Sequence, residues 1–156
     1  MQPTTRWRPQ PTMGKEKEKP QRPTFLPLAL RTEWDLATTT RHNLLLVGSS
    51  SATDALLDAL KPHLREPLRH CSPRTGLPAP EGTEGTLVLS EVAGLDINQQ
   101  VELYRWLDRF EQQVRVVSTT SEPLFPLVQA GAFLADLYYR LNIVLFDLTS
   151  SSKSML

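Results

Sequence analysis

The stretch G-A-F-L-A-D-L-Y-Y-R-L-N-I-V at residues 131–144 changes its hydrophobic period part-way along. Phe133, Leu134, Leu137 and Leu141 recur at helical spacing, which predicts a helix over residues 131–141. Asp136 stands four residues ahead of Arg140, the favourable order for an intrahelical ion pair. After Asn142 the run at residues 143–148 is apolar and opens Ile-Val, the pattern of a buried strand. Upstream, strand and helix patterns alternate. Residues 124–130 predict a short helix, and V-R-V-V-S-T at residues 114–119 predicts a strand. Residues 96–111 predict a long amphipathic helix, capped by Asp96 or Asn98, with Ile97, Val101, Tyr104, Trp106 and Leu107 on its buried face. G-T-L-V-L-S at residues 85–90, a segment around residues 67–71, and N-L-L-L-V at residues 43–47 are three further strand candidates. Gly48 is followed by S-S-S-A-T and then by the apolar repeat D-A-L-L-D-A-L, a loop and helix start with Ser51 or Thr53 as expected N-cap. Residues 72–85 are rich in Pro and Gly and predict a loop.

Five short strands alternating with helices predict an α/β domain over residues 43–148: a parallel sheet, right-handed crossovers and helices on both faces. Strand, small-residue loop, helix is also the topology that carries a phosphate-binding loop. Residues 25–42 form a lead-in segment, of which residues 25–34 are semi-apolar, interrupted by Pro27, and expected to lie against the domain without forming an element. Residues 1–24 and 149–156 have too little apolar content to offset their ordering entropy and are expected to be disordered tails.

The 156 residues allow one modest core, and the formal net charge of zero gives no overall field for nucleic acid. Arg6, Arg8, Lys15, Lys17, Lys19 and Arg22 outnumber Glu16 and Glu18 at the start, but few aromatics accompany them to stack on bases, so a solvated tail is expected. The single cysteine, Cys71, and three scattered histidines show no metal-ligand spacing, and Cys71 reads as a small buried thiol. The apolar runs are strand-sized, so no membrane span is expected and a cytoplasmic location is the default.

The string F-x-x-D-L-Y-Y-R-L-N at residues 133–142 closely resembles a segment near the end of the ATPase core of the sigma-54-dependent transcription activators, bacterial enhancer-binding proteins of the AAA+ class. The resemblance implies a three-layer AAA+ domain of P-loop NTPase type, with the 131–141 helix presenting arginine fingers to a neighbouring subunit. Such an ATPase needs a lysine-bearing phosphate loop, a strand-end carboxylate pair for magnesium and water, a polar sensor and arginines from a neighbour.

Against G-x-x-x-x-G-K-[ST], this chain has Gly48, Ser49, Ser50, Ser51, Ala52, Thr53, Asp54 and Ala55. Thr53 replaces the second glycine, and Asp54 puts a carboxylate where the lysine would attract a triphosphate. A smaller anion at this helix N-terminus is an alternative that Asp54 also opposes. Where the activators resemble G-T-L-F-L-D-E-I, this chain has Ser90 for the metal aspartate and keeps Glu91, which reads as a solvated or capping acid. Ser121 stands at the sensor asparagine, and Leu134 and Arg140 at the two finger arginines. Arg140 fits either a contact in trans or the pair with Asp136. Residues 72–84 are too short for the insertion bearing G-A-F-T-G-A, residues 109–113 leave no room for a second insertion, and the P-L-R-x-R continuation, the helical lid and flanking domains are expected to be missing.

Together these residues predict a degenerate, non-catalytic domain acting by protein contact in transcription regulation or a linked bacterial system; the resemblance implies ATP and magnesium for the family, but no cofactor and no ATP hydrolysis are expected here. The expected partner is an intact activator or a second copy, without direct DNA contact. The alternative is an ATP-binding regulator with an atypical loop; a relic without selected function is a third reading.

Overall fold

A computed structural model describes residues 20–76 and 84–149. Its elements are α1 (Arg31–Thr39), β1 (Leu44–Val47), α2 (Ser50–Leu60), β2 (Leu68–Cys71), β3 (Gly85–Leu89), α3 (Ile97–Phe110), β4 (Val114–Thr120), α4 (Phe125–Gln129), α5 (Ala135–Leu141) and β5 (Val144–Asp147). All five strands run parallel in the order β2-β3-β4-β1-β5. Every position of β1, β3 and β4 is buried, as expected of parallel strands covered on both faces. Because the strands are parallel, the loops leaving β1, β3 and β4 open at one end of the sheet, the usual place for a ligand in such folds.

Strand alternation divides the core in two. Leu45, Val47, Leu87, Leu89 and Val116 face Leu103, Leu107, Phe133, Leu137 and Leu141 from α3, α5 and the loop before it. Leu44, Leu46, Val88, Val117 and Phe146 face Trp34 and Ala37 of α1 and Leu56, Leu57 and Leu60 of α2. Cys71 is free and buried within the first cluster, and burial raises its thiol pKa with partial relief from Arg69. No helix among the described residues is long and apolar enough to cross a membrane.

Five local expectations change. The last strand, read as buried, is an edge strand that alternates buried and exposed positions, with Ile143 and Leu145 exposed, because β5 pairs only with β1. The segment ahead of β1 does form an element: α1 docks by Trp34 and Ala37, with the Trp34 indole donating to the Pro20 carbonyl. Its run of threonines is a weak helix signal, and Thr38, Thr39 and Thr40 donate back to carbonyls of the preceding turn. The second helix is capped by Ser49, whose Oγ accepts from the Ala52 amide, and not by Ser51 or Thr53. The buried stripe of α3 is Gln100, Leu103 and Leu107, and Ile97 is exposed. The last helix begins at Ala135, because Gly131 ends the preceding turn in the left-handed region at φ 74° and Leu134 is extended. The expected tails fall largely outside the described residues, as do residues 77–83 of the expected loop.

Candidate functional site

At the carboxyl end of the sheet the chain leaves β1 through Gly48, whose amide donates to the Thr120 carbonyl of β4. A Cβ at this position would stand 3.0 Å from the Leu148 Cβ, so glycine lets β1 exit close beside the chain that follows β5. The next residues depart from a phosphate cradle in shape as well as in charge. Helix α2 starts at Ser50, so Ser50, Ser51 and Ala52 are already helical. The Ala52 amide is taken by Ser49 Oγ at 3.2 Å and the Thr53 amide by the Ser49 carbonyl at 2.9 Å. Thr53 is buried and its hydroxyl donates to the carbonyls of Ser49 and Ser50. Two of the amides that would encircle a phosphate, those of Ala52 and Thr53, are used to close the first turn. Asp54 and Ala55 are exposed on that turn.

The remaining positions converge on the same end. Ser90, partly buried, follows β3, and its amide donates to the Cys71 carbonyl. Glu91 is a non-glycine residue in the left-handed region at φ 55°, and its amide donates to Thr119 Oγ1 on β4. Ser121 lies beyond β4, and its Oγ donates to Glu91 Oε2 at 3.4 Å. The fold therefore brings together the loop, the strand-end acid and the sensor position, with the acid held by the sensor residue.

Arg140 and Asp136 do not pair. The Arg140 guanidinium turns to α3, where Nη2 donates to Asp108 Oδ1 at 2.8 Å and Nη1 reaches Glu111 Oε2 at 3.5 Å. It also lies over the Tyr104 ring, 4.9 Å from its centroid. Three partners, two on α3 and one at its C-cap Glu111, outcompete a single exposed carboxylate on the helix of Arg140 itself, and Asp136 stays in the first turn of α5, where negative charge is favourable. Asp108 and Glu111 are 63% and 65% exposed, so the pairs are solvent-screened. Arg140→Ala is expected to lower stability by about 1 kcal/mol, mostly lost in high salt, and Asp136→Ala by less than about 0.5 kcal/mol. Urea unfolding at low and high salt measures both.

Gln100, buried in the first turn of α3, has the most demanding environment near the site. Its Nε2 donates to the carbonyls of Leu95 and Ala132, and its Oε1 accepts from the Leu134 amide at 2.8 Å. It fixes the loop that leads into α5. Its place three residues ahead of Leu103 and seven ahead of Leu107, on one helix face, was the available signal for it.

The family model of the sigma-54 interaction domain matches residues 29–150. The chain belongs to this family. Among curated proteins, the transcriptional regulatory protein ZraR of Klebsiella oxytoca is 37% identical over 79 residues, 44% of this chain and 18% of that protein. The sigma-54-dependent transcriptional activator SfnR of Pseudomonas putida is 38% identical over 79 residues, 44% of this chain and 22% of that protein. The chain spans about a fifth of the length of these relatives. Among solved structures, NtrX from Brucella abortus in complex with ATP superposes with a TM-score of 0.63 at 21% identity, over 77% of this chain and 34% of that one. The P-loop NTPase domain of a sigma-54 transport activator from E. coli superposes with a TM-score of 0.56 at 20% identity, over 78% of this chain and 92% of that one. The α/β sheet of this sigma-54 interaction domain is thus the P-loop NTPase fold.

Proposed function

We propose that this sigma-54 interaction domain is non-catalytic and acts by protein contact in transcription regulation, in the bacterial cytoplasm. The observation that carries this is the start of α2 at Ser50, which takes up the amides a phosphate loop would offer. Asp54 adds a carboxylate in the first turns, Ser90 cannot replace a metal carboxylate, and Glu91 is engaged by Ser121. These losses fall on parts that work as a unit in phosphoryl transfer, so retaining Glu91 alone does not retain the activity.

The contact is assigned to α5, β5 and the turn between them, which expose Tyr139, Leu145 and Ile143 at 62%, 38% and 52%. The partner is an intact domain of the same family or a second copy of this chain. Arg140, tied to α3, acts there by holding α5 in place and not as a free arginine finger.

Two measurements test these statements separately. A phosphate-release assay with magnesium and ATP is expected to show no hydrolysis, and Asp54→Lys alone is not expected to create any, because the loop amides remain in the helix. ATP hydrolysis by the unaltered chain would overturn the non-catalytic assignment in favour of a regulator that binds and hydrolyses ATP. For contact, the chain is mixed with an intact sigma-54 activator ATPase domain, and co-elution and ATP hydrolysis are followed. A complex lost with Tyr139→Glu plus Ile143→Glu is expected, as is a self-complex lost the same way if the partner is a second copy. A chain that stays monomeric alone and in the mixture would remove the contact function.

A further inference from the structure

The end of the sheet opposite the altered phosphate loop holds a pocket of about 250 Å³, lined among others by Arg41, His63, Arg65, Glu111, Gln113 and Arg115. We propose that this pocket binds a compact polyanion of the di- or triphosphate class. Three arginines and one acidic residue, Glu111, line it, and the Glu111 carboxylate already faces Arg140 at 3.5 Å.

Arg115 makes the site more than a collection of surface charges. It opens into the pocket from the start of β4 and is only 8% exposed. Its Nε donates to the His42 carbonyl and its Nη2 to the Ala37 carbonyl, each at 2.8 Å. Those bonds fix the guanidinium plane but supply no negative charge, and among the described residues no carboxylate lies within ion-pair distance of Arg41, Arg65 or Arg115. Burial lowers the Arg115 pKa to about 10, and Arg41 nearby pushes it the same way. A buried guanidinium without a counter-charge, beside a second guanidinium, is unfavourable unless something anionic joins it.

The ligand class follows from charge and size. Oxygens of a phosphoryl group match the guanidinium fork, and more than one negative charge is needed to balance the three arginines. The volume falls below that of a typical site for a drug-sized ligand, so a nucleoside attached to the phosphates would project into solvent. The hydroxyls of Thr38, Thr39 and Thr40, on the rim, already donate to α1 carbonyls, leaving the arginines as the principal donors.

Inorganic pyrophosphate is the probe, titrated into the full chain at low salt by calorimetry. Arg41 and Arg65 are exposed, so Arg41→Gln with Arg65→Gln leaves the fold intact, which a thermal melt checks. Saturable binding weakened at least tenfold in this double variant is expected, with Ser50→Asp at the opposite end of the sheet leaving it unchanged. No saturable binding, equal binding in the double variant, or loss of binding on Ser50→Asp would each overturn the proposal. The last of these would place the anion on the altered phosphate loop.

Discussion

Gly85→Ala is expected to remove most of the stability of the fold, about 4 kcal/mol or more out of a total that for a domain of this size is about 5–15 kcal/mol. Gly85 opens β3 with φ at +94°, a region that side chains rarely adopt. A Cβ there would stand 2.3 Å from the Pro67 carbonyl oxygen and 2.8 Å from the Pro67 nitrogen, which are backbone atoms and cannot swing aside. Relief would require β2 to part from β3, yet that edge is pinned by the Thr86 amide on the Pro67 carbonyl and by the Thr86 hydroxyl on the Arg65 carbonyl. Moving Gly85 the other way disturbs its register with Val114 on β4. The strain and the lost hydrogen bonds therefore add. A urea-unfolding midpoint reports the result. A midpoint within about 1 kcal/mol of the unaltered chain would mean that the β2–β3 edge is not packed as described.

The strands were legible because parallel strands buried on both faces read as short continuous apolar runs, and L-L-L-V and G-T-L-V-L admit little else at that length. The order in which they pair was not, since no local pattern says that β4 returns to lie beside β1. At the site, the chemical losses at Thr53, Asp54 and Ser90 could be read directly, but the extension of α2 back to Ser50 could not. A run of serines is equally a loop or a helix start, and only the Ser49 cap decides it. Arg140 shows the same limit. Spacing on one helix favoured Asp136, and the arrival of α3 with Asp108, Glu111 and Tyr104 overrode it. Arg115 and Gln100 escaped notice because hydrophobic periodicity scores a polar residue as outward, whereas these two are buried to satisfy backbone groups of other segments.

Gln100→Leu is expected to cost about 3 kcal/mol, despite the similar volume and the gain of an apolar side chain in an apolar stripe. The substitution leaves the Leu95 and Ala132 carbonyls and the Leu134 amide without their partner at once. Each buried polar group left alone costs about 1–3 kcal/mol, which the added apolar burial offsets only in part. The three groups lie on two separate segments, the end of the turn before α3 and the entry to α5, so one local shift cannot satisfy all of them. Hydrogen exchange at the Leu134 amide distinguishes a general loss of stability from a local one: its protection should fall before that of β1 and β4 amides. The same variant bears on function. If α5 must be held in one orientation to present Tyr139 and the adjoining strand, partner binding should weaken by more than the loss of folded protein accounts for. Stability and Leu134 protection both unchanged would mean that water replaces the amide, and Gln100 would then have no part in positioning α5.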